Sequence, residues 1–265
     1  MEHIVWNLDP VMLSFMGLKI HWYGVLFATA IISGFLVMRR IYVLEELDLE
    51  SLDDLVIYCV VGIVVGARLG HVLFYEPGYY FANPLKIFAI WKGGLASHGG
   101  TVGVLLAMYL YKRKVQLPFL FLMDRIAIAT GIFCFFVRMA NFTNSEIVGV
   151  PTDKPWGIIF QRIDMLPRHP AQLYEAITYL GLFILMWLLY RFTEMKQKQG
   201  ALLGLFLALV YGSRYLIEFV KVRQADFAQD WSMSVGQMLS VPFVLLGLGL
   251  VVMAYMKKLP DASVS

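Results

Sequence analysis

Four arginines lie inside long apolar stretches of the 265-residue chain, where a charged side chain needs a specific partner: Arg68, Arg125, Arg138 and Arg214. A charge at mid-bilayer costs at least about 2.5 kcal/mol unless it is paired, hydrated or close to an interface. Arg125 follows Asp124, so a local ion pair or snorkelling explains it. The other three fall near one predicted membrane face. Because planar guanidinium groups bind phosphate through paired hydrogen bonds, we expect an anion site there.

Two further polar side chains are predicted at that same membrane face. Tyr23 stands in the string HWYG at 21–24, and His98 stands in GGLASHGG at 93–100. The glycines around His98 let backbone approach a ligand closely. A neutral imidazole can accept a proton from a thiol, so His98 is a candidate general base.

A polar stripe runs along a later apolar stretch. Tyr211, Arg214, Glu218 and Lys221 are spaced by three, four and three residues, which places them on one face of a helix. Such a stripe must face protein, water or a lipid head group. One interpretation is an Arg214–Glu218 ion pair within the helix, and the other is phosphate binding by Arg214.

Arg138 begins the string RMANFTNSE at 138–146, which joins an apolar stretch to a longer polar segment. The amide and carboxylate groups of Asn141, Asn144 and Glu146 could hold glycerol hydroxyls. The same residues could instead cap the end of a helix, where asparagine is common. The string alone leaves both interpretations open.

The elements that position these residues are apolar spans. With 59% hydrophobic and 15% charged residues, the chain has more apolar surface than one water-soluble core can bury. A bilayer core about 30 Å thick needs roughly 20 apolar residues per helix. We predict an all-α integral membrane protein, built as a single domain over 1–265, with seven transmembrane helices. Their predicted ranges are 21–38, 55–75, 95–111, 119–138, 170–190, 200–218 and 237–256.

Basic residues predict the orientation of these spans. Lys and Arg follow the first, third, fifth and seventh spans, and the positive-inside rule places those segments in the cytoplasm. The N-terminus is then periplasmic and the C-terminus cytoplasmic. The segment 139–169 lies outside, and its Asn, Gly and Pro residues predict a small periplasmic cap. Cys59 and Cys134 fall inside spans and indicate neither a disulfide nor a metal site.

Taken in order along the chain, six strings resemble one bacterial family, the phosphatidylglycerol:prolipoprotein diacylglyceryl transferases. The resemblance runs from about residue 20 to residue 256 and keeps the order of the motifs and their spacing relative to the spans. The strings are HWYG, GARLGHVLFY at 66–75, GGLASHGG, RMANFTNSE, RHPAQLYE at 168–175 and YGSRYLIEF at 211–219.

The resemblance implies three catalytic residues, His98, Arg138 and Arg214. It also implies a larger set of residues that bind or support the substrate. That set comprises Tyr23, Asn141, Asn144, Glu146, Gly149, Arg68, Tyr211 and Lys221.

The chain departs from the family pattern at a few positions. Val137 and Ala140 stand where glycine is usual, and one residue fewer separates Tyr211 from Arg214. The basic position after that helix is Lys221 instead of arginine, with Arg223 two residues on. The role of Tyr211 and the choice between the two basic residues are therefore open.

The implied reaction moves diacylglyceryl from phosphatidylglycerol to the thiol of a lipobox cysteine in a prolipoprotein signal peptide. It forms a thioether and releases glycerol 1-phosphate. The resemblance implies no metal and no organic cofactor. We expect no nucleic-acid partner and a monomer in the bacterial inner membrane, with its site toward the periplasmic leaflet. The alternative from another class is a phospholipid or organic-anion transporter with an outer-leaflet arginine site.

Overall fold

The computed structural model describes residues 3–15, 17–90, 93–94, 96–222 and 232–256. Contacts group the chain into two compact units. The first unit holds the residues up to Met38 and those from Met123 on, and the second holds Arg39–Leu122. The single domain over 1–265 stays a prediction.

Helices make up most of the described chain. They are α1 (Trp22–Leu44), α2 (Glu50–Phe74), α3 (Pro77–Ala82), α4 (Ser97–Val115), α5 (Phe119–Thr143), α6 (Ala171–Phe192), α7 (Ala201–Ile217) and α8 (Val235–Tyr255). Several run past the predicted spans, because α1 continues through Arg39 and Arg40 and α5 continues beyond 138 into the cap. Polar residues with good helix propensity let a helix extend beyond its apolar part.

Six of the described helices are long and apolar enough to cross a membrane, which confirms a mostly helical, multi-pass membrane protein. The third predicted span, 95–111, corresponds to α4, which is not among the six. The last turn of α4 carries Lys112, Arg113 and Lys114, so its apolar part is short. The count of seven spans and the placement of the termini stay predictions.

In the second unit, α2 and α4 pack through glycines. A Cβ added at Gly66 would lie 2.7 Å from the Cα of Gly103, and one added at Gly70 would lie 2.8 Å from the Cα of Gly99. Small residues let membrane helices approach closely enough for backbone to contact backbone. The close approach therefore depends on the absence of side chains along this seam.

In the first unit, short strands that the sequence analysis did not predict join the N-terminus to the cap. β1 (Ile4–Trp6) pairs in parallel with β4 (Ile158–Phe160), which pairs antiparallel with β5 (Pro167–Arg168). A hairpin of β2 (Val11–Phe15) and β3 (Leu18–His21) leads into α1.

The predicted cap has its own apolar core. Phe142, Val148, Ile158 and Phe160 form a buried cluster, with Trp6 packed against it. The Trp6 indole also donates a hydrogen bond of 3.2 Å to the Phe142 carbonyl. The cap is thus fixed to the end of α5 by the N-terminal strand.

Arg125 has the local partner that the sequence suggests. Its Nη1 lies 3.9 Å from the buried Asp124 carboxylate, and its Nη2 donates to the Lys196 carbonyl at 3.2 Å. Asp124 accepts 2.7 Å hydrogen bonds from the backbone N–H groups of Gly200 and Leu203, at the start of α7. A carboxylate there satisfies free N–H groups and favours the helix dipole.

The glycine seam makes a testable prediction about stability. Gly103→Ala should lower the midpoint of thermal unfolding in detergent, because its methyl group meets backbone of α2 and such overpacking costs about 1–3 kcal/mol. Gly249→Ala in α8 is the control, since a Cβ there meets no atom within 4 Å. Equal midpoints for the two variants would contradict the close packing of α2 on α4.

Candidate functional site

Arg138 near the end of α5 is held by groups from two helices. Its Nε lies 2.9 Å from Glu175 Oε2 on α6, an ion-pair contact whose N–H is not aligned for a hydrogen bond. Its Nη1 donates to Asn141 Oδ1 at 3.2 Å. The Arg138 side chain is only 15% exposed, so its orientation is strongly constrained.

Glu175 also contacts a second cation. Its Oε1 accepts a hydrogen bond of 3.4 Å from Lys221 Nζ, and the Glu175 side chain is fully buried. Lys221 lies 3.6 Å from Glu218 Oε2 as well. One buried carboxylate therefore bridges Arg138 and Lys221. We call Arg138, Glu175, Lys221 and Glu218 the cation cluster.

Of the two interpretations of the polar stripe, the structure does not show the Arg214–Glu218 ion pair. Glu218 pairs with Lys221, and Arg214 makes no hydrogen bond or ion pair with another residue that the structure describes. The reason is local: α7 tightens into a 3₁₀ turn over Glu218–Val220, and residues three apart eclipse in such a turn. Arg214 is half-buried and has no carboxylate contact within the described part of the chain.

In the string RMANFTNSE, the side chains of Asn141, Asn144 and Glu146 form a hydrogen-bonded group next to Arg138, which we call the Glu146 arm. Asn141 Nδ2 donates to Glu146 Oε2 at 3.1 Å, and Asn144 Nδ2 donates to Glu146 Oε1 at 3.0 Å. The Gln172 side-chain amide donates a hydrogen bond to the Glu146 backbone carbonyl. The two asparagine amides therefore fix Glu146 and do not cap the helix. Through Asn141 this arm is continuous with Arg138.

Gly149 lets the segment that carries Lys221 approach. Its N–H donates to the His169 carbonyl at 2.9 Å, and it forms an antiparallel bridge with Lys221. A Cβ at this position would fall within 2.6 Å of atoms of His169 and Val220. Any side chain at 149 would push these segments apart.

The two tyrosines of the predicted site lie in the first unit. Tyr23, half-buried at the start of α1, is within electrostatic range of Glu146 and Arg138. The Tyr211 ring stacks on Phe243 of α8, with centroids 4.4 Å apart and planes at 16°. Tyr211 is thus a packing residue beside Arg214. Arg223, the alternative to Lys221, lies outside the described residues.

Arg68 belongs to the second unit, where backbone carbonyls satisfy its guanidinium. Nε donates to Ile87 at 2.7 Å, Nη2 to Lys86 at 2.6 Å and Nη1 to Gly93 at 2.7 Å. The group also lies over the Tyr80 ring, 4.9 Å from its centroid. These contacts support a structural role, which is to order the segment between α3 and α4.

His98 also belongs to the second unit. It is exposed in the first turn of α4 and lines an apolar cavity of about 950 Å³ between α2 and α4. Within the described chain, no group of three His, Cys, Asp or Glu side chains could hold a metal ion.

Sequence reasoning missed the central residue, Glu175. It lies in the string RHPAQLYE. A proline at a helix start, Pro170, accounts for that string without any functional role. The available signal was an acidic residue inside an apolar helix on the predicted side of the arginines. Such a residue needs a cationic partner.

The chain matches the family model described as prolipoprotein diacylglyceryl transferase over residues 10–253. Three similar curated proteins are all named phosphatidylglycerol–prolipoprotein diacylglyceryl transferase. The protein of Tolumonas auensis is 50% identical, covering 96% of this chain and 99% of its own length. That of Chloroherpeton thalassium is 43% identical over 94% of each chain. That of Porphyromonas gingivalis is 43% identical, covering 95% of this chain and 94% of its own length.

The shared carboxylate predicts that Glu175→Gln is strongly destabilising. The change keeps the shape of the side chain but leaves Arg138 and Lys221 without their common negative charge, and breaking a buried pair costs about 3–5 kcal/mol. We expect a clear fall in the thermal midpoint in detergent. Glu194→Gln is the matched control, because Glu194 is exposed. A Glu175 variant as stable as the control would refute the bridging role.

Proposed function

Since the chain belongs to the prolipoprotein diacylglyceryl transferase family, we propose that it moves diacylglyceryl from phosphatidylglycerol to the thiol of a lipobox cysteine. The sulfur forms a bond to the terminal glycerol carbon of the diacylglyceryl group, and the bond from that carbon to the phosphate oxygen breaks. The bonding electrons leave with glycerol 1-phosphate, and the thiol gives up its proton. The product is a thioether.

The observation that carries the proposal is Arg214, which has no carboxylate partner among the described residues and lies in the helix that leads to the cation cluster. Within the cluster Glu175 and Glu218 balance Arg138 and Lys221, whereas Arg214 has no carboxylate partner among the described residues. A phosphodiester supplies the missing negative charge, and a guanidinium fork binds it in a fixed orientation.

The chemical step puts growing negative charge on the leaving phosphate. Cations that are already in place stabilise such charge without having to move during the reaction. Their effect is strongest in a site that excludes water. Arg138 is held in place by Glu175 and Asn141, so it is preorganised for this task. We assign charge stabilisation to Arg138 and Arg214, and substrate binding to Tyr23, Asn144 and Glu146.

Thiol activation is assigned to His98. A free cysteine thiol has a pKa near 8.5 and is mostly protonated at neutral pH, so a nearby base raises the thiolate population. His98 is exposed and starts α4, which leaves its imidazole accessible to a substrate. The proposed setting is the periplasmic leaflet of the bacterial inner membrane, with the enzyme acting as a monomer.

The direct test incubates purified protein with phosphatidylglycerol and a lipobox peptide, followed by mass spectrometry of the peptide. The proposal expects a diacylglyceryl adduct on cysteine together with released glycerol 1-phosphate. The alternative, a phospholipid or organic-anion transporter, expects movement of substrate across the membrane and no adduct. Transport without an adduct would replace our proposal with the alternative.

Arg214→Lys should reduce transfer by at least about tenfold although it keeps the charge. An ammonium group loses the fork geometry that binds phosphate bidentately. The measurement is kcat/KM for adduct formation, with Arg191→Lys as the control because Arg191 is exposed at the end of α6. Turnover close to that of the unmodified enzyme would remove Arg214 from the phosphate site.

His98→Gln should lower the rate of adduct formation by roughly 100-fold or more. Glutamine keeps a polar side chain of similar size but cannot accept the thiol proton, and general base catalysis typically contributes about 10²- to 10⁴-fold. The rate of adduct formation is measured from pH 5 to 9. A variant with full activity and an unshifted profile would show that another group takes the proton.

A further inference from the structure

A polar pocket lies beside the cation cluster, where α7 ends and α8 begins. Its volume is about 480 Å³, and Glu218, Lys221 and Val150 form part of its wall. Ser232, Ser234 and Gln237 line the side nearest to α8. The cation cluster thus continues into a space large enough for a small polar group.

Most polar groups around this pocket already have partners. The Ser234 N–H donates to Gln237 Oε1 at 2.9 Å, and the Gln237 N–H donates to Ser234 Oγ at 3.1 Å. This reciprocal pair caps α8 and engages the side-chain oxygen of each residue. Lys221 is shared between Glu175 and Glu218.

Glu218 is the exception. Its side chain is 10% exposed, and its Oε2 accepts no hydrogen bond from the residues that the structure describes. The carboxylate packs directly on α8, since a Cβ added at Gly236 would lie 2.5 to 2.8 Å from its atoms. The contact with Lys221 Nζ, at 3.6 Å, is too long for a hydrogen bond. A donor in the pocket would therefore improve the satisfaction of this buried oxygen.

The kind of donor follows from the neighbouring charges. Lys221 Nζ is already 3.6 Å from Glu218 Oε2, so a ligand ammonium would add a second cation beside it and would lose its own hydration. A neutral hydroxyl can donate to the carboxylate without repelling Lys221 and without the loss of hydration that a buried ammonium suffers. The pocket therefore suits a polyol better than an amine.

We propose that this pocket binds the glycerol head group of the donor lipid, and that Glu218 accepts hydrogen bonds from its hydroxyls. The inference rests on the proposed transfer reaction, and it assigns a residue to donor-lipid selectivity. Lys221 in the pocket wall contacts Glu175, and Glu175 also contacts Arg138. In phosphatidylglycerol the terminal hydroxyls follow the phosphorus by only a few bonds. A phosphate held by the arginines can therefore place them at Glu218.

The test compares two donors, phosphatidylglycerol and phosphatidylmethanol, which has the same phosphodiester without the hydroxyls. For the unmodified enzyme we expect kcat/KM to favour phosphatidylglycerol by roughly 10- to 100-fold, the usual effect of hydrogen bonds to a charged group. In Glu218→Ala this preference should largely disappear. The rate with phosphatidylmethanol is the reference, because Glu218 also pairs with Lys221 and its loss can lower both rates without changing their ratio.

A second variant tests the pocket in case Glu218→Ala fails to fold. Val150→Phe narrows the pocket and leaves every charge in place, so it too should reduce use of phosphatidylglycerol and spare phosphatidylmethanol. Glu194→Gln, an exposed site, should leave both rates unchanged.

The outcomes separate this inference from the transfer reaction itself. Equal losses with both donors, or an unchanged preference in Glu218→Ala and Val150→Phe, would overturn the head-group pocket while the transfer stands. No adduct from either donor with the unmodified enzyme would overturn the proposed transfer, and the pocket assignment with it.

Discussion

The contact between the Glu175 carboxylate and two cations, Arg138 and Lys221, is the interaction on which the site depends. Each of the three residues comes from a different part of the chain, and Glu175 is fully buried. In a region of low dielectric, neither an isolated carboxylate nor an isolated cation is tolerated, so each group fixes the others. The arrangement leaves Arg138 preorganised and almost fully compensated. Arg214 has no carboxylate partner among the residues that the structure describes, and we therefore propose it as the phosphate ligand.

The small cap and the N-terminal strands serve this arrangement. The bridge between Gly149 and Lys221 brings the end of α7 against the cap, and the Glu146 arm extends the hydrogen bonds of Arg138 through Asn141. The cap is held to α5 by Trp6, whose ring lies 4.3 Å from that of Phe142. The proposed head-group site thus rests on polar contacts between the cap and the ends of apolar helices.

Features set by local sequence were predictable, and features set by distant contacts were not. Apolar length located the helices, and adjacency predicted the pairing of Arg125 with Asp124. Helical spacing placed Glu218 equally near Arg214 and Lys221, so only the 3₁₀ turn decided between them. Glu175 and the strand at Ile4–Trp6 were missed because their partners lie far away in the chain.

The most direct measurement of the central interaction is a double-mutant cycle on thermal stability. The cycle combines Glu175→Gln with Lys221→Met, because removing a cation that has lost its carboxylate should recover part of the stability. We expect the double variant to be more stable than the sum of the single effects by at least about 1 kcal/mol, the range for residues in contact. Strictly additive effects would contradict a shared buried carboxylate as the basis of the site.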